Sequence, residues 1–235
     1  MNLILLFPED FTGPQRVTLR GRRAAHIHQV HRAQPGEQLR VGLLDGDLGQ
    51  GTLLELSAEQ VTLEVTLDRA PPPPLPLTLL LALPRPKMLR RILQTCATLG
   101  VRDLILLNAY RVEKSYWQSP FLQPEKIAEQ LTLGLEQGVA TTPPQVRLIK
   151  RFKPFVEDEL PALAAGKRAL VAHPYQAAPC PAAEQQDTLL AVGPEGGFIA
   201  YEVDKMLAAG LQPIHLGPRI LRVETALPYL AAKLF

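Results

Sequence analysis

The amino-acid sequence predicts an α/β protein in which a parallel sheet follows a small, β-rich amino-terminal module. Beyond residue 76, short apolar segments alternate with helix-like segments, as in parallel strands covered by helices. Before residue 70, short segments alternate between apolar and polar side chains, which is typical of strands in a small barrel. Four prolines at 71–74 separate the two patterns, because consecutive prolines favour stiff polyproline II. We therefore expect two domains, residues 1–72 and 73–235.

The amino-terminal module is predicted to contain short strands interrupted by one helix, from about Arg22 to Arg32. The predicted strands are Arg16 to Arg20, Gln38 to Leu44, Gln50 to Leu56 and Gln60 to Leu67. Asp45-Gly46-Asp47 is typical of a hairpin turn. The proline run after this module favours a semi-rigid spacer over a PxxP motif that binds another protein.

Three histidines on the predicted helix, His26, His28 and His31, resemble a set of metal ligands. No Cys, Asp or Glu stands with them in that segment, and the neighbouring arginines would repel a cation. We therefore expect no metal, and we favour packing or contact with RNA for these side chains.

After the prolines, strands and helices are predicted to alternate. Leu77 to Leu83 is a predicted strand, and a helix begins near Lys87, since proline is tolerated in a first helical turn. The apolar face of that helix consists of Leu89, Ile92, Leu93, Cys96 and Leu99, and its polar face of Lys87, Arg91, Gln94 and Thr98. Further strands are expected at Leu104 to Asn108, Arg168 to Ala172, Leu189 to Val192 and Ile214 to Leu216. Further helices are expected at Glu125 to Gln137, Tyr201 to Ala209 and Val223 to Leu234.

Size and composition favour a protein that folds without disulfide bonds. The chain has 235 residues, of which 46% are hydrophobic, enough to bury a sizeable core. Cys96 and Cys180 are far apart and form no Cys-x-x-Cys pattern, so we expect neither disulfides nor a zinc ribbon, and a cytoplasmic location. Met1 to Asp10 lacks a basic segment, so we expect no signal peptide, and no apolar stretch approaches the length of a membrane span.

The formal net charge of +2 is unevenly distributed along the chain. A first basic block contains Arg16, Arg20, Arg22, Arg23, Arg32 and Arg40, and a second contains Arg85, Lys87, Arg90, Arg91, Arg102, Arg111 and Lys114. An acidic stretch from Asp45 to Asp68 lies between them. A solvated surface explains any one group, but two basic blocks together indicate a track for a polyanion, and RNA is the natural candidate.

Two glycine-rich loops near the end of the chain are the most specific functional signal. The first is Gly193-Pro194-Glu195-Gly196-Gly197-Phe198, and the second lies within Leu216-Gly217-Pro218-Arg219-Ile220-Leu221-Arg222-Val223-Glu224-Thr225-Ala226. Each follows a short apolar run, and glycine lets the backbone approach a bound molecule closely. Neither loop has the spacing of a P-loop or of a dinucleotide-binding Gly-x-Gly-x-x-Gly, so those classes are disfavoured.

The paired loops resemble the signature of the SPOUT-class 16S ribosomal RNA uracil-N3 methyltransferases. Other segments agree with this resemblance, which covers nearly the whole chain. They are Lys87-Met88 with the helix to Val101, Glu136-Gln137 before Pro143-Pro144, His28-Gln29-Val30-His31-Arg32, and Pro35-Gly36-Glu37.

The resemblance implies a PUA-like RNA-binding barrel joined to an α/β domain whose carboxy-terminal part forms a deep trefoil knot. It also implies a homodimer that acts on 16S rRNA or the small ribosomal subunit, with neither a membrane nor a metal. S-adenosylmethionine would lie in the knot loops, including His173-Pro174-Tyr175. The implied cofactor-binding residues are His173, Pro174, Gly193, Pro194, Gly196, Gly197, Leu216, Gly217, Ile220 and Leu221. The implied RNA-binding residues are Arg20, Arg22, Arg23, Arg32, Lys87, Arg91 and Arg219.

The implied reaction gives four charged residues candidate catalytic roles. Methylation at N3 of uracil requires loss of a proton, which spreads negative charge onto O2 and O4. Arg222, or Arg219 beside it, would stabilise that charge, and Glu195 or Glu224 would accept the proton or orient an arginine. We favour Arg222 as the stabiliser; the alternative is a simple Arg222–Glu224 pair near a helix start.

Two other functions are compatible with the same sequence. One is a different SPOUT reaction, such as ribose 2′-O methylation, which needs no deprotonation at N3. The other is a non-catalytic RNA-binding factor in ribosome assembly that retains the pocket without turnover. The exact target nucleotide and the general base are open at this point.

Overall fold

The amino-terminal strands form a mixed sheet with its own apolar core. In this computed structural model, which describes residues 2–57, 59–174 and 176–235, its strands lie in the order β1-β4-β5-β6-β3-β2. They are β1 (Ile4–Leu6), β2 (Phe11–Gly13), β3 (Arg16–Arg20), β4 (Gln38–Leu43), β5 (Leu48–Leu56) and β6 (Gln60–Arg69). Neighbouring strands are antiparallel except β1 and β4, which are parallel. Leu19, Val41 and Leu63 are buried on its core face.

The predicted strands and hairpin of this module are confirmed, whereas the helix differs from its prediction. Gly46 donates its backbone N–H to the carbonyl of Leu43 at 2.8 Å in the turn between β4 and β5. Instead of one helix over 22–32, α1 (Gly21–His26) continues as a π-helical turn over Ile27–His31. The turn ends at Arg32 with φ +53°, a left-handed conformation that stops a helix. The sequence did not predict β1 and β2.

A segment distant in sequence completes this unit. Residues 132–143 belong to the same compact unit as the described residues up to Pro73. Thr141 is fully buried, and its hydroxyl donates to the carbonyl of Gly46 at 2.6 Å. The carbonyl of Thr141 in turn accepts the N–H of Asp45 at 3.0 Å. The segment therefore holds the hairpin between β4 and β5.

The second unit is a parallel sheet with strands in the order β11-β13-β10-β12-β7-β8-β9. Its strands are β7 (Leu75–Ala82), β8 (Val101–Leu107), β9 (Gln145–Ile149), β10 (Arg168–Ala172), β11 (Ala178–Pro179), β12 (Thr188–Val192) and β13 (Gln212–His215). Its helices are α2 (Pro86–Leu99), α3 (Pro124–Gly138), α4 (Phe152–Pro154), α5 (Leu160–Ala164), α6 (Ala200–Ala208) and α7 (Val223–Leu234). The last residues of α3, from Thr132, belong to the first unit.

Burial explains why these segments form strands and helices. The central strands β7 and β12 are almost wholly buried, as expected for apolar strands covered on both faces. On α2, Leu89, Ile92 and Leu93 are buried while Lys87 and Arg91 are exposed, which confirms the predicted faces. Among the described residues, none of the helices has both the length and the apolar character of a bilayer span.

The predicted strands and helices of this unit are confirmed with shifts at their ends, and two strands were missed. The strand predicted at Ile214 to Leu216 begins earlier, at Gln212, and ends at His215. β9 carries exposed polar residues and β11 has two residues, so neither has an apolar pattern. Because all neighbouring strands are parallel, the carboxyl ends of β10, β12 and β13 meet at one edge of the sheet.

Candidate active site

Three loops converge at the carboxyl ends of β10, β12 and β13 and enclose a cavity of about 330 Å³. β12 leads into the loop Gly193–Phe198, β13 into Leu216–Arg222, and β10 into His173. The cavity wall contains every residue predicted to bind the cofactor: His173, Pro174, Gly193, Pro194, Gly196, Gly197, Leu216, Gly217, Ile220 and Leu221. Tyr175, from the third predicted loop, lies outside the described residues.

The first loop is a tight turn in which glycine avoids close contacts. A Cβ at Gly193 would lie 3.0 Å from the backbone nitrogen of Phe198 and 3.2 Å from Cα of Gly197. Gly197 has φ +72°, and its N–H donates to the carbonyl of Pro194 at 2.7 Å. Its glycines therefore present backbone to the cavity, and Pro194, Glu195 and Phe198 also line it.

The second loop starts with another left-handed glycine and adds an apolar wall. Gly217 has φ +111°, and its N–H donates to Nδ1 of His215 at 3.0 Å. Ile214, Leu216 and Leu221 face the cavity from this side. Ile220 is 78% exposed at its rim, so the loop offers apolar surface that is not used by the core.

His173 contributes an imidazole to the third side of the cavity. Its backbone N–H donates to the carbonyl of Ile214 at 2.9 Å, which fixes the start of this loop beside β13. Partial burial lowers the pKa of His173 from its ordinary value. The side chain is therefore neutral near pH 7.

Two charged side chains of the wall make contacts within the site. Glu195 accepts the backbone N–H of Arg85 at 3.1 Å, at the start of α2. Arg111 lines the cavity and donates from Nη1 to the carbonyl of Gly196. We did not predict Arg111 as a residue of this cavity, although it belongs to the second basic block.

The predicted catalytic residues are not all in the wall. Glu195 and Arg219 line the cavity, whereas Arg222 and Glu224 do not. Arg222 is exposed at the amino end of α7, where its carbonyl accepts the N–H of Ala226 at 2.8 Å. Within the described part of the chain, its guanidinium has no hydrogen bond or ion pair, so the structure does not contain the alternative pair with Glu224.

Comparison with known proteins assigns the fold to a family. Residues 71–234 match the family described as RNA methyltransferase domain, more than half of the chain. The chain belongs to this family. It is 29% identical over 233 residues to ribosomal RNA small subunit methyltransferase E of Treponema pallidum, covering 96% of this chain and 87% of the relative. It is 31% identical over 229 residues to the protein of the same name from Synechocystis, covering 89% and 69%.

A solved structure has the same fold over almost the whole of this RNA methyltransferase family member. It is ribosomal RNA small subunit methyltransferase E from Neisseria gonorrhoeae bound to S-adenosyl methionine. The TM-score is 0.76 at 24% identity, and the match covers 99% of this chain and 96% of that one. At this level of identity the likeness is one of fold.

The basic side chains predicted to contact RNA differ in how far their own contacts hold them in this family member. Lys87, Arg91 and Arg32 are exposed, and Arg20 donates to Gln60 at 3.3 Å. The guanidinium of Arg22 pairs with the buried carboxylate of Glu136 at 2.8 and 3.0 Å, with about half of the side chain still exposed.

Arg23 differs from the other predicted RNA contacts because its guanidinium is held internally. It donates to both oxygens of Asp10, at 2.5 and 2.7 Å, and to the carbonyl of Leu5 at 2.8 Å. It also lies 4.9 Å from the ring of Phe7 and is only 15% exposed. This geometry suits a structural role for Arg23 rather than a contact with RNA.

Proposed function

We propose that this chain is an S-adenosylmethionine-dependent methyltransferase that methylates N3 of a uridine in 16S rRNA of the small ribosomal subunit. The observation that carries this proposal is the glycine-lined cavity at the edge of a parallel sheet, in a chain of the RNA methyltransferase family. Relatives that match most of the chain carry the name ribosomal RNA small subunit methyltransferase E.

The residues of the cavity fit an adenosyl group. The loop from Gly193 to Gly197 is closely folded, because a Cβ at Gly193 would lie 3.0 Å from the backbone nitrogen of Phe198, and its glycines contribute only backbone to the cavity wall. Ile214, Leu216 and Leu221 provide apolar surface for a flat base. A neutral His173 avoids repelling a cation. When bound, S-adenosylmethionine supplies an electrophilic methyl group on a sulfonium.

Side chains of the two glycine-rich loops carry the proton and charge chemistry in this proposal. N3 of uracil lies on the Watson–Crick edge, so the base must be unpaired or extruded. Arg222, whose guanidinium is exposed, stabilises the negative charge that develops on O2 and O4. Glu195 accepts the N3 proton on the oxygen that does not bind Arg85. Glu224 lies outside the cavity wall and forms no ion pair within the described residues, so the proposal gives it no role. Arg219 contacts the RNA beside the cavity.

The architecture implied by the resemblance is part of the same proposal. We propose that the amino-terminal sheet is a PUA-like barrel over residues 1–72, and that residues 73–235 form a SPOUT domain with a carboxy-terminal trefoil knot. Arg20, Arg22 and Arg32 of the first unit, with Lys87 and Arg91 on α2, then contact rRNA in the cytoplasm. The exposed apolar side chains Ile220 and Tyr229 support a homodimer.

The decisive experiment is nucleoside mass spectrometry after incubation of the purified chain with S-adenosylmethionine and unmodified small subunits. The expected product is 3-methyluridine. Detection of 2′-O-methyluridine instead would contradict methylation at N3 and indicate methylation of the ribose. Binding of S-adenosylmethionine by calorimetry without any methylated nucleoside, on naked 16S rRNA or on subunits, would favour a non-catalytic assembly factor.

A further inference from the structure

A second cavity lies at the same carboxyl edge of the sheet, beyond β8 and β9. Its volume is about 530 Å³, within the range of roughly 300–1,000 Å³ that is usual for ligand sites. The backbone N–H of Asn108 donates to the carbonyl of Ile149 at 2.8 Å, so the two strand ends form one continuous floor. Its wall includes Tyr110, Lys114, Trp117, Lys150, Lys153 and Tyr201.

Aromatic side chains form the apolar part of this wall. Tyr110 is 79% exposed and Tyr201 is 46% exposed, although both rings have large apolar faces. Trp117 is held in place by donating from Nε1 to Oδ1 of Asn108 at 2.8 Å. Exposed aromatic rings such as those of Tyr110 and Tyr201 are stacking platforms for unpaired bases.

The charge of the wall is positive. Lys114, Lys150 and Lys153 are all exposed, and within residues 2–57, 59–174 and 176–235 none of them forms an ion pair. The acidic member, Glu202, is buried and accepts backbone N–H groups on both of its oxygens. Lysines beside stacking rings match the phosphates and bases of a single-stranded nucleic acid.

This second cavity adjoins the candidate active site through two pairs of consecutive residues. Tyr110 lines the second cavity, and Arg111 lines the first. Likewise Ile199 lines the second cavity, and Phe198 lines the first. We propose that the second cavity binds a ribonucleotide that flanks the methylated uridine, with its base stacked on Tyr110 and its phosphate on Lys150. This inference rests on the proposed function, because that function supplies the RNA strand.

A second copy of the chain is the other macromolecule that exposed aromatic rings would suit. Positive charge argues against it, because a two-fold contact through this wall would bring lysines of one copy close to those of the other. The experiment therefore includes the oligomeric state as a readout.

The test measures binding of labelled single-stranded oligouridylate to the full chain by fluorescence anisotropy at several salt concentrations. The variants are Tyr110→Ala and Lys150→Ala. Tyr110→Phe retains the ring, and Lys126→Ala removes an exposed lysine on α3 that lies outside both cavities. Calorimetry with S-adenosylmethionine, methylation of small subunits and light scattering accompany each variant.

The expected result is a loss of affinity for oligouridylate of about five-fold or more in Tyr110→Ala, with Tyr110→Phe near wild type. In Lys150→Ala, the salt dependence becomes shallower by about 0.7 in log–log slope. Affinity for S-adenosylmethionine is unchanged in both. Unaltered RNA binding in both variants overturns the inference, as does conversion of a dimer to a monomer by Tyr110→Ala. If the wild type methylates nothing while its RNA binding still depends on Tyr110 and Lys150, the proposed function fails and the nucleotide site stands.

Discussion

The carboxylate of Glu202 accepts a hydrogen bond from the backbone N–H of Tyr110 at 2.6 Å. Its other oxygen accepts the N–H of Ile199 at 3.0 Å, and the side chain is only 2% exposed. This one residue therefore joins the start of α6 to the loop after β8. That loop carries Arg111 into the wall of the candidate active site.

Replacement of Glu202 by alanine is expected to destabilise the fold. Two backbone N–H groups would lose their acceptor, at about 1–3 kcal/mol for each buried group. Urea denaturation should therefore give a markedly lower free energy of unfolding. Glu129→Gln, on the exposed face of α3, is the matched control and should change that free energy by less than about 1 kcal/mol. Equal midpoints for Glu202→Ala and Glu129→Gln would contradict this role.

The sequence predicted the glycine loops of the site but missed the side chains that reach it from elsewhere. Gly193 and Gly217 follow apolar strands, so their position at strand ends was readable locally. Arg111 is 85 residues from Gly196, and Tyr110 is 92 residues from Glu202. No local pattern encodes such contacts, because they arise only when β8 and β12 are brought into one sheet.

The same distinction between local and distant signals explains which elements of the fold the sequence predicted. Buried strands such as β7 and β12 have apolar runs that predict them. The exposed edge strand β9 lacks that signal, because one edge and much of its surface meet solvent. The segment 132–143 reads as the end of a helix and a turn, and only the folded chain reveals its contacts with the hairpin at Asp45 and Gly46.

Gly193→Ala is expected to weaken binding of S-adenosylmethionine by at least about ten-fold. The added Cβ would press on backbone atoms of Phe198 and Gly197, which cannot move aside as a flexible side chain would. Calorimetry measures the effect. Gly13→Ala is the control, because its Cβ would make only an ordinary contact of 3.7 Å with Arg16. Wild-type affinity in Gly193→Ala would mean that the first loop does not cradle the ligand.

Arg222→Ala is expected to lower kcat by about 100- to 1,000-fold, as loss of one donor to a developing anion does. Affinity for S-adenosylmethionine should be unchanged, because Arg222 does not line the cavity. The loss of kcat should become smaller as pH rises, since a uracil that is already deprotonated at N3 needs less stabilisation from an arginine. Arg219→Ala is the comparison, and we expect it to raise KM for small subunits with little change in kcat. Full turnover of Arg222→Ala, with loss in Arg219→Ala or Arg111→Ala, would move the role to another arginine.

Arg23→Ala is expected to cost about 3–5 kcal/mol of stability, because it leaves the carboxylate of Asp10 buried without its cation. Arg20→Ala, which removes an exposed guanidinium, should cost less than about 1 kcal/mol. The salt dependence of RNA binding separates the two roles. We expect it to become shallower in Arg20→Ala and to stay unchanged in folded Arg23→Ala. A shallower slope in Arg23→Ala would show that this guanidinium reaches RNA.

Acidification is expected to weaken both the fold and the binding of S-adenosylmethionine through His173. Burial holds the pKa of His173 below its ordinary value, whereas the unfolded chain titrates at about 6.5. Between these two values the unfolded state binds more protons, so stability rises with pH there. The contribution of His173 is therefore fully present above about pH 6.5 and is lost as pH falls through the folded pKa.

A charged His173 would also repel a sulfonium in a cavity that already contains Arg111 and Arg219. We expect the affinity for S-adenosylmethionine to fall as pH decreases below about 6.5 in the wild type, and to fall less in His173→Gln. His28→Gln is the control, because it removes an exposed imidazole of the amino-terminal unit that does not line the cavity. Identical pH profiles for the wild type and His173→Gln, in both thermal denaturation and calorimetry, would show that His173 stays in one protonation state across this range.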